Sequence, residues 1–368
     1  MKKQKIEGID GIRALGALAL VIYHYGLFAS MLEGHRYPFE DYAKYIYIYG
    51  YLAVELFFIV SGFVIEHTYA DRVTSMPFWE YIKRRIVRLY PLLLLTTVMV
   101  GLEQFVLLKM TGEFFAWPIS LWGIVLTFFG FQNVMFSGLY FNGPLWQIGI
   151  LILLYIAYYL ARQSKNFFRF CAVSILLGAT LVCFNYGTLP IFAGALGRGL
   201  ASYFIGVLMC KYRAAFKNLK GVAWGVLIVS VFLMARYGAI IVGNLNLVFS
   251  FLVFPSVIVC ILTSEPLAKF FGIKPFVFLS DISYGICAYH FPLQVLAVIL
   301  YKSQLIPGLK LYSGAFLLGW MGMTIVVAVL SKYVIEPSLE SRLKAYLEKI
   351  ETSFVHGNEK NSGKTEGI

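Results

Sequence analysis

Arg13 and His24 lie in one apolar stretch, Ile9–Phe28 (IDGIRALGALALVIYHYGLF), with ten residues between them. On a helix, eleven steps of about 100° return nearly to the starting face, and at ~1.5 Å per residue the two side chains stand ~16 Å apart. That is more than half of a ~30 Å hydrocarbon core. A fixed cation and a ring that exchanges protons near neutral pH can therefore serve two ends of one long substrate. Arg13 alone also reads as a side chain snorkelling to headgroups. An intramembrane histidine is costlier and calls for a cavity or a polar partner.

The second apolar stretch, GYLAVELFFIVSGFVIEH, carries Glu55 about halfway along. A carboxylate there costs roughly 2.5–3.5 kcal/mol unless it is paired. One reading makes it a structural inter-helix pair; the other has it orient the His24 ring for proton transfer or touch substrate. The run FWEYIKRRIVRLYP follows, with Arg84, Arg85 and Arg88 within about one helical turn. Planar guanidinium groups match phosphate oxygens, as on a nucleotide-bearing donor, although such a run also serves as a plain topology signal. Trp146 in GPLWQIGIL reads as an interfacial anchor or as the wall of an acceptor groove. Arg198 in IFAGALGRGLASYFIG needs a carboxylate, carbonyls or a wet cavity, with Glu55 or Asp281 as a possible counter-ion. FLSDISYGICAYHFP holds Asp281, Ser283, Tyr284 and His290; Ser283 and His290 share a helix face, and His290 is read as packing near a helix end.

These side chains are embedded in a chain of 368 residues that is 60% hydrophobic and only 14% charged, with a mean hydropathy of +0.76. That composition excludes an ordinary soluble domain. The net charge of +12 does not point to nucleic acid, because the basic residues fall between apolar stretches in the positive-inside pattern. Eleven apolar segments are visible, at 11–28, 46–66, 89–108, 119–137, 144–161, 168–186, 190–210, 221–243, 245–263, 278–301 and 312–335. The basic connectors around Lys83–Arg88, Arg162–Arg169, Lys211–Lys220 and Lys269–Lys274 all reach the cytoplasmic side only if one segment does not cross. The weakest is 119–137.

The expectation is an all-α polytopic membrane bundle of about ten transmembrane helices with both termini cytoplasmic, in the cell inner or plasma membrane. Residues 1–340 form the membrane domain and 341–368 a cytoplasmic tail, a short amphipathic helix with a disordered polar end. The basic start MKKQK is followed by no small-residue cleavage site, so no cleaved leader is expected. The five cysteines lie scattered without metal-ligand spacing, and no metal is expected.

Together, IDGIRAL with His24, GYLAVELFFIVSGF, RRIVRLYP, GPLW, the arginine–glycine segment ending in FIG, LSDISYGICAYHFP and IEPS occur in an order that resembles the bacterial acyltransferase-3 membrane proteins. These are O-antigen and exopolysaccharide O-acetyltransferases. The resemblance runs from residue 8 to about 340. It implies an acyl-CoA donor, usually acetyl-CoA, and a glycan or lipid-linked saccharide acceptor. It also implies an essential His24, a required Arg13, and CoA phosphates at Arg84, Arg85 and Arg88. Many members carry Trp-Ser-Leu-x-x-Glu where this chain has Trp146 to Leu151, so the glutamate position is Leu151 here. The leading expectation is thus an O-acetyltransferase with His24 and Glu55 catalytic, and Arg13, Arg84, Arg85, Arg88, Arg198, Trp146 and Tyr284 binding substrate. His24 would serve as general base or as acyl carrier. The alternatives are a proton-coupled transporter or flippase using Arg198, Glu55 and His24 as a relay, and a structural partner of an export complex.

Overall fold

A computed structural model describes residue 6 and residues 8–132, 141–184, 194–237 and 245–365. Among the described residues every regular element is helical. The chain opens with α1 (Ile9–His24), α2 (Glu40–Tyr49), α3 (Ala53–Tyr69), α4 (Phe78–Thr111) and α5 (Leu121–Phe128). It continues with α6 (Trp146–Gln163), α7 (Phe167–Phe184), α8 (Gly194–Lys211), α9 (Phe216–Tyr237), α10 (Leu245–Val248) and α11 (Phe254–Thr263). The short α12 (Glu265–Phe271) and α13 (Lys274–Asp281) lead into α14 (Ser283–Lys302), α15 (Gly314–Leu330) and α16 (Glu336–Thr365).

Long apolar runs form helices because in lipid every backbone polar group has to be satisfied within its own segment. Local signals set their ends. Gly112 closes α4 in a left-handed conformation, donating its N–H to the Leu108 carbonyl at 2.8 Å. Ser120 and Ser313 cap α5 and α15 by accepting from the N–H groups of Gly123 and Phe316. On the outside, Val98, Leu102, Leu176, Ile228, Val231 and Phe232 are exposed, as a lipid-facing surface requires. Inside, Tyr25, Phe28, Phe63, Tyr203, Phe204 and Phe291 are buried.

Nine helical stretches among the described residues are long and apolar enough to cross a membrane. The weakest apolar segment contributes only the eight residues of α5, ~12 Å of helix against a ~30 Å core. Residues 133–137 of that segment lie outside those described.

Although α8 is not one of the nine, it packs closely along α3. A side chain on Gly62 would strike the Tyr203 carbonyl, and one on Gly206 the Ile59 carbonyl. Two turns from that approach, Arg198 meets Glu55. The glycines let two backbones touch, and the touch aligns the ion pair. At the tail, α16 stays helical through Thr365, where the sequence reading places a disordered end. No proline follows Pro337, and Lys344 and Glu348 pair one turn apart at 3.9 Å.

Candidate active site

Arg13 and His24 share a face of α1, and the element they face is α14. Near the start of α14, Arg13 donates from Nε to Ser283 Oγ at 3.2 Å and from Nη2 to the Ser280 carbonyl at 2.6 Å. Farther along, His24 Nδ1 lies 3.1 Å from His290 Nε2, the rings stacked with centroids 4.9 Å apart. Gln294 donates to the His24 carbonyl at 2.9 Å.

The two ends of this stripe open into two cavities. The first, about 300 Å³, is lined by Arg13, Arg85, Arg88, Gln147, Tyr155 and Tyr284, among others. The second, about 480 Å³, is lined by His24, Tyr23, Tyr51, Trp117, Trp146 and Arg198, among others. Trp146 and Gln147 are consecutive yet line different cavities, so the first turn of α6 stands in the partition. The stripe read from the α1 spacing as serving two ends of one substrate therefore faces two chambers, which share walls on α1, α3 and α6.

The arginine run divides by helix geometry. Arg85 and Arg88, three apart, line the first cavity, whereas Arg84 turns outward and pairs with Glu80 at 2.5 Å, its side chain 46% exposed. The sequence treats all three as one phosphate site, and the ~100° between Arg84 and Arg85 separates them. The Arg85 guanidinium stacks 4.4 Å from the Tyr69 ring centroid and 5.5 Å from that of Tyr155. Its Nε, like Gln147 Oε1, is buried without a hydrogen-bond partner among the described residues. Tyr284 lines the same cavity and donates to the Leu89 carbonyl at 2.6 Å. Leu151 is also in this wall.

Glu55 does not orient His24. Fully buried, it takes a two-point contact from Arg198, through Nε to Oε1 and through Nη2 to Oε2 at 3.0 Å. Arg198 Nη2 also reaches the Tyr51 carbonyl at 3.3 Å, and its guanidinium lies 5.3 Å from the Trp146 ring centroid. The close α3–α8 packing gives Glu55 this partner, and the imidazole partner of His24 is His290 instead.

His290, read from sequence as packing near a helix end, meets the His24 ring, and Gln294, one turn further on, meets the His24 backbone. Sequence reasoning also passed over Glu66, which is buried and accepts from Tyr158 Oη at 2.8 Å and from Arg162 Nε at 3.0 Å. The signal was available for both. His290 and Glu66 are ionisable residues inside apolar runs, the same warning that singled out His24 and Glu55. Among the described residues, no group of His, Cys, Asp or Glu is arranged to hold a metal ion.

A family model described as an acyltransferase domain matches residues 6–332. The chain belongs to this acyltransferase family. It is 24% identical over 343 residues to the O-acetyltransferase OatA of Staphylococcus aureus strain NCTC 8325 / PS 47, covering 82% of this chain and 53% of that protein. It is also 24% identical over 314 residues to the O-acetyl transferase of Shigella phage Sf6, covering 80% and 86%. Protein 2 in the picA locus of Rhizobium radiobacter is 36% identical over 107 residues, 28% of this chain and 48% of that one. The chain spans about half the length of the staphylococcal relative. No solved structure matches it.

Proposed function

We propose that this family member is an O-acetyltransferase of the cell inner or plasma membrane, moving acetyl from cytoplasmic acetyl-CoA to a hydroxyl of a glycan or lipid-linked saccharide. The observation that carries this reading is the pair of cavities that share walls on α1, α3 and α6, one holding three guanidinium groups and the other holding His24.

The first cavity suits the donor. Arg13, Arg85 and Arg88 offer charge-assisted contacts to phosphate oxygens. Arg85 Nε and Gln147 Oε1 are a donor and an acceptor in need of partners, and a phosphate oxygen and an amide N–H of a pantetheine arm supply them. At about 300 Å³ the cavity is at the small end of ligand pockets, so it takes the arm while the adenine stays at the mouth. The basic residues Lys83, Arg84, Arg85 and Arg88 lie at this end, which makes it the cytoplasmic one, with both termini on the same side.

In the second cavity the rings of Tyr23, Tyr51, Trp117 and Trp146 offer flat apolar walls for a saccharide. His24 takes the acceptor hydroxyl proton as that oxygen bonds to the thioester carbonyl carbon. The carbon–sulfur bond then breaks, and the CoA thiolate leaves with the proton returned by the imidazolium. Arg198, held by Glu55 against Trp146, shapes the wall that the acceptor meets.

The test is transfer of label from [14C]acetyl-CoA to the glycan fraction of membranes carrying the protein. Wild-type membranes should transfer label, and His24→Ala membranes with equal protein should lose it by at least about 10²-fold. Undiminished transfer by His24→Ala would rule His24 out of the chemistry.

A further inference from the structure

We propose that His290 is a positioning residue for the reaction: its Nε2 accepts the Nδ1–H of His24, which fixes His24 in the tautomer whose Nε2 lone pair is free for the acceptor hydroxyl. The proposal rests on the reading of His24 as the base.

Four observations carry it. The His24 Nδ1 to His290 Nε2 distance of 3.1 Å is a hydrogen bond, and between two neutral imidazoles one nitrogen has to donate and the other accept. His24 lines the second cavity while His290 is wholly buried behind it, so only one of the two rings can meet substrate. His290 Nδ1, the ring nitrogen turned away from His24, is buried and reaches no hydrogen-bond partner among the described residues. With the proton of His290 on that nitrogen, Nε2 is the one left to accept. Finally, Gln294, one turn along the same face of α14, donates to the His24 carbonyl at 2.9 Å. Residue 24 is held at both its ring and its backbone by one helix.

The arrangement does what a carboxylate does for a catalytic histidine elsewhere, orienting the ring and choosing its tautomer. Here a buried imidazole does it without placing a further anion in the bundle. With the proton misplaced on Nε2, His24 would offer the acceptor a donor and could not deprotonate it.

The experiment uses the full chain in native membranes, with [14C]acetyl-CoA as donor and His290→Leu, His290→Gln and His24→Ala as variants. His290→Leu removes the acceptor; the side-chain oxygen of His290→Gln can replace Nε2. We expect His290→Leu to lower kcat about 10²-fold, with KM for acetyl-CoA changed by less than about twofold, and His290→Gln to recover to within about tenfold of wild type. Nitrogen NMR of histidine-labelled wild-type protein should find His24 protonated at Nδ1, a readout that needs no turnover and no variant. The proposal is overturned if His290→Leu keeps kcat within about threefold of wild type, if His290→Gln is no better than His290→Leu, or if His24 carries its proton on Nε2. If His24→Ala is inactive while His290→Leu is not, only the role of His290 falls; if His24→Ala is fully active, the underlying assignment of His24 falls with it.

Discussion

At the scale of single residues, the site is built from pairs, and the pairs are where sequence reading stops. The types were legible: an arginine, a histidine and a carboxylate within apolar runs each announce a partner, because none is tolerated alone in lipid. Which partner each takes depends on how neighbouring helices rotate. Glu55 thus pairs with Arg198 across a glycine-lined contact, and His24 with His290. Removing one member of the buried pair should be severe. Glu55→Ala leaves the Arg198 guanidinium without its carboxylate and should destabilise the protein by about 3–5 kcal/mol, read as a lowered Tm in detergent. The double replacement Glu55→Leu with Arg198→Met should recover most of that loss, since an apolar pair of similar volume is often neutral. The arginine run makes a second prediction. Arg85→Ala or Arg88→Ala should weaken CoA binding by about tenfold or more, while Arg84→Ala, already engaged with Glu80 outside the cavity, should change it by less than about twofold. Calorimetry with purified protein separates these outcomes.

At the scale of elements, the end of α13 and the whole of α14 form the strut on which α1 is registered. Ser283 and the Ser280 carbonyl hold Arg13, and His290 and Gln294 hold His24. The stripe on α1 was readable from its spacing alone, as was the shared face of Ser283 and His290. Their meeting was not, because the two helices are 270 positions apart in the chain and neither stripe names its mate. The α3–α8 contact depends on missing side chains. Gly62→Leu or Gly206→Leu would drive a side chain into the facing carbonyl. Such overpacking typically costs about 1–3 kcal/mol, and here it also pulls Glu55 from Arg198. Size-exclusion profiles of detergent extracts should show lost or aggregated protein for both variants, and normal profiles for Gly221→Ala, whose added carbon meets open space.

At the scale of the whole molecule, two basic connectors meet. Arg162 and Lys211 both lie over the Phe167 ring, at 4.4 and 4.7 Å, and Arg162 joins the buried Glu66. The helices came through in the sequence because hydropathy is local. The division into two chambers did not, since it arises where Trp146 and Gln147, consecutive on α6, face different cavities. In the orientation proposed above, a cysteine at Thr68 should react with an impermeant maleimide only from the cytoplasmic face, and one at Tyr47 only from the opposite face.

The central claim is that an acyl group passes from one chamber to the other beside His24 while CoA stays behind. Sealed inside-out vesicles given [14C]acetyl-CoA on their outer, cytoplasmic face test it directly. Label on lumenal glycan, with free CoA recovered only outside, is the predicted result; label confined to glycan on the donor's side would contradict it.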